Sequence, residues 1–126
     1  MEPEYLIDTN VVIDNFGNML PEKAKAFVSS FVPVVSVVTK IEVLGWPNAT
    51  KQQLSPLYGF METAILLAID EAVIDKTISI RQAKKIGLGD AIIAATALQH
   101  NLKLMTHNTK DFKDIEGLQL INPYEL

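Results

Sequence analysis

Short apolar runs separated by helix-like segments constrain this chain more than any other feature. The runs are residues 4–7 (EYLI), 33–38 (PVVSVV), 64–69 (AILLAI), 102–106 (LKLMT) and 118–122 (LQLIN). The second is rich in β-branched valine, which suits a pleated strand. Several are nearly continuous apolar stretches rather than clean alternations, the pattern of strands covered on both faces. Between them, 21–31 carries Ala24, Phe27, Val28 and Phe31 at helical spacing, with Pro21 in the first turn. Residues 39–45 form a short helix closing at Gly45, before Trp46 and Pro47. A helix is expected over 51–62, with a break at Ser55-Pro56 left open. Residues 71–86 place Val73, Ile74, Thr77, Ile78, Arg81 and Lys85 in an amphipathic pattern. Residues 90–100 (DAIIAATALQH) are apolar almost all round, which predicts a helix sandwiched inside the domain. Strands alternating with helices imply a parallel sheet with right-handed crossovers. In such sheets a site forms outside the carboxyl ends of the strands, near a switch point.

The length of 126 residues fits one globular domain over 1–126, with 48% hydrophobic and 21% charged residues. No apolar run approaches the roughly 18 residues needed to span a bilayer. MEPEYL carries acids and no basic n-region, unlike a secretory signal. The chain has no cysteine, which excludes disulfides and thiolate zinc sites and fits a cytoplasmic protein. The formal charge is −4, whereas a protein holding nucleic acid mainly by phosphate neutralisation is usually basic. If this chain handles nucleic acid, it needs a further source of positive charge.

The acids supply a candidate. Asp8 follows the first strand, in YLIDTN. Glu42 lies about one turn beyond the second strand. Asp90 opens the buried helix, and Asp111 follows LKLMT in THNTKDF. If the crossovers return to one edge, these carboxylates converge and raise one another's pKa values. A hard divalent cation relieves that repulsion; Mg²⁺ takes oxygen ligands, keeps several waters and often binds through one or two carboxylates plus substrate phosphates. Each acid also has a structural reading. Asp8 is a plausible Asx-turn residue. Thr39-x-x-Glu42 matches a helix capping box. Asp90 is a plausible N-cap, and Asp111 a turn or cap residue. Asp14 reads as solvated or capping, and Asp70 as the cap of the following helix. His100 and His107 lack a zinc-site spacing, which argues against histidine-based metal binding. Arg81, Lys84 and Lys85 form a basic spot ahead of Asp90, either a solvated face or candidate phosphate contacts.

Four blocks in this order resemble the PIN domain, specifically the VapC-type toxin ribonucleases of toxin–antitoxin pairs. They are IDTNVVID with Asp8, SVVTKIEVLG with Thr39 and Glu42, DAIIAATAL with Asp90, and MTHNTKDF with Thr106, Asn108 and Asp111. The resemblance covers almost the whole chain. It implies a three-layer α/β/α domain with a central, mostly parallel sheet of four to five strands. It implies Mg²⁺- or Mn²⁺-dependent cleavage of RNA, with Asp8, Glu42, Asp90 and Asp111 as metal-binding and catalytic residues. Thr9, Asn10, Thr39, Thr106 and Asn108 would be supporting polar groups. It further implies a homodimer and a cognate antitoxin. One departure is visible: many relatives carry Pro directly before the third acid, and here Gly89 stands there. Proline would preset that turn, and glycine orders at more entropic cost.

Four rivals are weaker. A PIN-fold binding scaffold without activity is argued against by the intact acids. A receiver-like signalling domain would use Asp70 as phospho-acceptor, but lacks a second acid beside Asp8 and a lysine ending the last strand. A DxD phosphotransferase lacks its second Asp, and no G-x-G-x-x-G follows the first strand for dinucleotide binding. A partner-binding groove or dimer face is expected where Trp46, Leu57, Tyr58, Phe60 and Met61 cluster, with core packing as the alternative for each.

Overall fold

Each expected apolar run contains a strand, and each strand is shorter than its run. The computed structural model describes residues 4–126, so the first residues of MEPEYL lie outside the described region. The elements are β1 (Tyr5–Ile7), α1 (Thr9–Phe16), α2 (Glu22–Ser29), β2 (Val34–Ser36), α3 (Val37–Leu44) and α4 (Lys51–Thr63). They continue with β3 (Ile65–Leu67), α5 (Glu71–Ala83), α6 (Leu88–Gln99), β4 (Lys103–Met105), α7 (Thr109–Phe112) and β5 (Leu120–Ile121). A 3₁₀ turn over Pro123–Glu125 follows.

All strand pairs are parallel. β1 pairs with β4 and β4 with β5, while β2 pairs with β3. β2 lies beside β1, so the two groups run side by side. The chain therefore steps outward from β1 to β2 and β3, then crosses back to lay β4 on the other side of β1. That reversal makes β1 and β4 the switch point, where α/β sites form.

Alternate side chains of the same strands feed two separate cores. Tyr5, Ile7, Val35 and Met105 pack with Val11 and Val12 of α1, Ala24 and Val28 of α2, and Leu57 and Met61 of α4. Leu6, Val34 and Leu104 face the opposite way, against Val73 and Ile80 of α5 and Ile93 and Ala94 of α6. The result is the expected three-layer α/β/α arrangement. Helix α6 is buried on several sides, at Ala91, Ile93, Ala94, Ala95, Thr96 and Ala97. Its alanines let the backbone approach the sheet closely. Asn101 takes a left-handed φ of 56°, and the Leu102 N–H bonds back to the Ala97 carbonyl at 2.9 Å, turning the chain into β4.

Several local expectations are corrected. The run 33–38 yields only Val34–Ser36 as strand, because Ser36 caps α3 by accepting the Val38 N–H at 3.1 Å. Val37 and Val38 are helical despite their β-propensity, since a side-chain cap and burial outweigh a weak intrinsic preference. The capping box read at Thr39 and Glu42 does not form: α3 starts two residues earlier, so both lie inside the helix. Helix α4 runs unbroken through Pro56, held by a capping box at Thr50 and Gln53 and by buried Leu57 and Met61. Helix α6 starts at Leu88 with Gly87 as its N-cap, which places Asp90 inside the first turn rather than at the cap. Helix α1 was not anticipated; it starts directly after Asp8.

Candidate functional site

Asp8 ends β1, and its own N–H still joins the ladder through the Met105 carbonyl at 2.9 Å. The backbone then turns into α1 with Asp8 as N-cap, its Oδ1 accepting the Thr9 N–H at 2.8 Å. The other carboxylate oxygen accepts a 2.8 Å bond from the Thr106 hydroxyl, at the carboxyl end of β4. Asp8 thus closes the strand as a helix N-cap and not through an Asx turn, because its carboxylate accepts the N–H of the very next residue. The group is only 3% exposed. Burial pushes its carboxyl above the ordinary range, more than the bonds from Thr106 and Thr9 pull it down, and the nearby charges of Glu42 and Asp111 push it further.

Thr106 is itself completely buried and accepts the Asn108 N–H at 3.0 Å. Asn108 donates from Nδ2 to Asp111 Oδ2 at 2.9 Å. This aims Asp111, an exposed residue of the short helix α7, back along the same sheet edge. A continuous path of bonds thus joins the first and fourth of the acidic blocks: Asp8, Thr106, Asn108, Asp111.

A second path holds Glu42. Thr9 Oγ1 lies 2.7 Å from Glu42 Oε1 and 3.1 Å from Thr39 Oγ1. A hydroxyl has one proton, so the short contact to a carboxylate takes it. The Thr39 hydroxyl then donates to Thr9, giving a relay Thr39 to Thr9 to Glu42. Thr39 and Glu42 sit three residues apart on one face of α3, which is why both meet α1. Gly89, in the first turn of α6, completes the cradle. A Cβ at Gly89 would stand 3.1 Å from Glu42 Oε2 and 3.8 Å from Val38 Cγ1. The glycine that departs from the family pattern clears space for Glu42.

Asp90 is half-buried, and its carboxyl is raised to about 6. Burial is the largest cause, followed by the charges of Asp8, Asp111 and Glu42. All four acids expected from the sequence are therefore within electrostatic reach of one another. Their burial is graded: Asp8 at the floor, Asp90 midway, Glu42 and Asp111 at the rim. Among the described residues, no three His, Cys, Asp or Glu side chains stand close enough to hold one ion directly. The donor set is nonetheless all oxygen, the preference of Mg²⁺, which binds through few protein ligands and retains water. Two carboxyls raised first by burial and then by one another's charges would be held ionised by a cation, so donor chemistry and electrostatics both fit a hard divalent ion.

Of the supporting residues, Thr9, Thr39, Thr106 and Asn108 join the acids, while Asn10 lies exposed on α1. Lys84 and Lys85 line a cavity of about 240 Å³ together with Ile86, Gly87, Asp90, Lys110 and Asp111. Arg81 lies outside that cavity, along a neighbouring surface it shares with Lys84 and Lys85. Lys110 escaped the sequence reading, although its place one residue before Asp111 was a usable signal. Asp70 caps α5 through the Val73 N–H at 2.9 Å, as expected. Asp14 accepts the Tyr124 hydroxyl, which ties the 3₁₀ turn to α1, and burial with that bond raises the tyrosine above its ordinary range. His107 packs at a tilt on Tyr124, with ring centroids 4.5 Å apart. In the expected groove, Leu57 and Met61 are core residues, and Phe60 packs edge-on against Phe16 at 5.3 Å. Trp46 and Tyr58 remain exposed. Trp46, Ile13, Phe16, Met19, Pro56 and Leu57 are among the residues lining a surface cavity of about 530 Å³.

The PIN domain family model matches residues 5–118. The chain is 32% identical to "Ribonuclease VapC1" of Methanocaldococcus jannaschii over 124 residues, covering 94% of this chain and 86% of that protein. It is 26% identical to the "tRNA(fMet)-specific endonuclease VapC" of Shigella flexneri, over 92% of this chain and 95% of that one. A solved toxin–antitoxin complex from Klebsiella pneumoniae contains a chain with 33% identity and a TM-score of 0.80, matched over 98% of this chain and all of that one.

Proposed function

This chain belongs to the PIN domain family, and we propose that it is a Mg²⁺- or Mn²⁺-dependent endoribonuclease, the toxin of a toxin–antitoxin pair. The observation that carries this reading is the buried, raised Asp8 at the switch point, coupled to Glu42, Asp90 and Asp111. Structural acids at strand ends do not need to share one another's fields. The names of the M. jannaschii and S. flexneri relatives support ribonuclease chemistry, and the K. pneumoniae complex supports an antitoxin partner. The cavity beside Trp46 is the surface we assign to that partner or to a homodimer contact. A cytoplasmic location is the corresponding expectation; among the described residues no helix is long and apolar enough to cross a membrane.

Asp8, Asp90 and Asp111, with Glu42, would hold the cation, in part through water. When bound, the ion lowers the pKa of the attacking water and offsets charge on the phosphate. The chain's own groups supply position. Thr106 and the Thr9 N–H fix both oxygens of Asp8. Thr9 and Thr39 fix Glu42, which is placed at the rim to orient the water. Asn108 fixes Asp111. At neutral pH Asp90, raised to about 6, is mostly ionised and available as a ligand. The new bond joins water oxygen to phosphorus and the bond to the 3′ oxygen breaks, leaving a 5′-phosphate and a 3′-hydroxyl.

The test is cleavage of a mixed cellular RNA pool with Mg²⁺, Mn²⁺ or chelator, comparing wild type with Asp90→Asn. Fragments are expected only from wild type with metal. Equal cleavage in chelator sinks the mechanism. The receiver-like alternative loses its geometry: it needs the strand before Asp70 beside β1, as in the 2-1-3 order, whereas β3 pairs with β2 on the outer side.

A further inference from the structure

The acidic edge has a basic wall, and that wall is built from two separate elements. Lys84 and Lys85 follow α5, and Lys110 lies in α7; all three line the cavity that also contains Asp90 and Asp111. Three ammonium groups face two carboxylates there, in a chain whose formal charge is −4. The excess positive charge is therefore local and abuts the acid cluster. Lys84 is oriented by its bond to the Lys113 carbonyl at 3.2 Å. Gly87 borders the same cavity, where a Cβ would stand in open space. As N-cap of α6 it offers no side-chain acceptor, so the N–H groups of the first turn add positive potential on that side.

A cavity of about 240 Å³ has room for a phosphate group and its waters. Asp8 and Glu42 do not line this cavity, and its three lysines outnumber its two carboxylates, so beside the acid cluster it favours an anion. We infer that this cavity seats a second RNA phosphate, the one adjacent to the phosphate being cut. Lys84, Lys85 and Lys110 grip it, and Arg81 continues the track outward along α5. The inference deepens the nuclease reading and rests on it. It adds that the enzyme engages two consecutive phosphates, one at the acids and one at the lysines. A substrate lacking charge at the flanking position should bind poorly however well its scissile bond is placed.

The test uses a short single-stranded RNA with one cleavage site and a set of copies in which each flanking phosphate in turn is a neutral methylphosphonate. Wild type, Lys85→Ala, Lys110→Ala and the double variant are compared, with Lys23→Ala as a surface control. Lys85→Gln with Lys110→Gln serves as a second pair, and circular dichroism checks that each variant is folded. One methylphosphonate position should raise KM for wild type about tenfold, the scale of a lost charge-assisted bond, with kcat little changed. The double variant should already show that loss and should not respond to the same methylphosphonate. The salt dependence of RNA binding should flatten by about 0.7 in log–log slope for each lysine removed. If wild type cuts the RNA but the double variant and wild type respond alike to every methylphosphonate, the second-phosphate site is wrong and the nuclease reading survives. If wild type with metal neither binds nor cuts any RNA in the set, both fall together.

Discussion

Asp8 and Asp70 are the same local device in two places. Each follows a parallel strand, takes extended backbone angles, and caps a helix by accepting a main-chain N–H, at 2.8 Å for Asp8 and 2.9 Å for Asp70. They differ in what the sheet puts beside them. β1 pairs with β4 on one side and lies against β2 on the other, so Asp8 is buried, meets Thr106 at the end of β4 and shares the field of three other acids. β3 pairs on one side only, with β2, and Asp70 is exposed. A helix cap becomes a candidate ligand only when its strand has neighbours on both sides that deliver further polar groups to the same edge.

The largest expected effect tests that difference directly. Asp8→Asn keeps a good N-cap and removes the charge. It should lower metal-dependent RNA cleavage at least about a hundredfold, above the usual loss from an outer-sphere change. Asp70→Asn should leave initial rates as they are. Equal losses in the two variants would mean that capping, not charge, is what the activity needs.

Next in size is the partner that Asp70 lacks. Thr106→Val preserves shape and removes the hydroxyl that Asp8 accepts. Cleavage should fall roughly tenfold, and the Asp8 carboxyl should rise further. Two-dimensional carboxyl NMR titration of the metal-free protein would detect that rise; an unmoved Asp8 would break the link between β4 and the cap.

The third effect is on stability and has a definite sign. Asp90 titrates at about 6 in the fold and near 3.9 in an unfolded chain. Between those values the native state binds more protons, so stability falls as pH rises from about 4 to 6 and stays lowered above that. Asp90 is half-exposed, and solvent screening limits its share to about 1 kcal/mol. Urea unfolding of metal-free Asp90→Asn should be flatter over this window and more stable than wild type at pH 7. Asp8→Asn should likewise leave the metal-free protein as stable or more so at neutral pH. A neutral-pH loss in either variant would favour a purely structural role for that acid.

The smallest effect belongs to the plain cap. Asp70→Ala should cost about 1 kcal/mol at pH 7, the ordinary value of an N-cap, with cleavage intact once the protein is folded. A cost several times larger would show that the edge acid carries more than its helix.

Local patterns anticipated much of this. Apolar runs marked all five strands among the described residues, because a strand covered on both faces has few polar positions. The acids stood out because they interrupt or follow such runs. What failed were boundaries and short helices. Val37 and Val38 look like strand and are helix, because Ser36 supplies a cap. Helix α1 was invisible behind Asp8, since DTNVVID mixes a turn signal with β-branched residues. Gly89 looked like a loss of turn rigidity, whereas its missing side chain accommodates Glu42 from another helix.

By itself the sequence determined the residue types, the alternation of strand and helix, and the presence of acids after β1 and β4. Those follow from short-range periodicity and from the chemistry of single side chains. Only the tertiary structure decided that β4 lies beside β1, so that Thr106 reaches Asp8, and that α5 and α7 close on one cavity, so that Lys84 and Lys85 meet Lys110. Strand order is set by which apolar faces bury one another across the whole chain, and no local pattern records it.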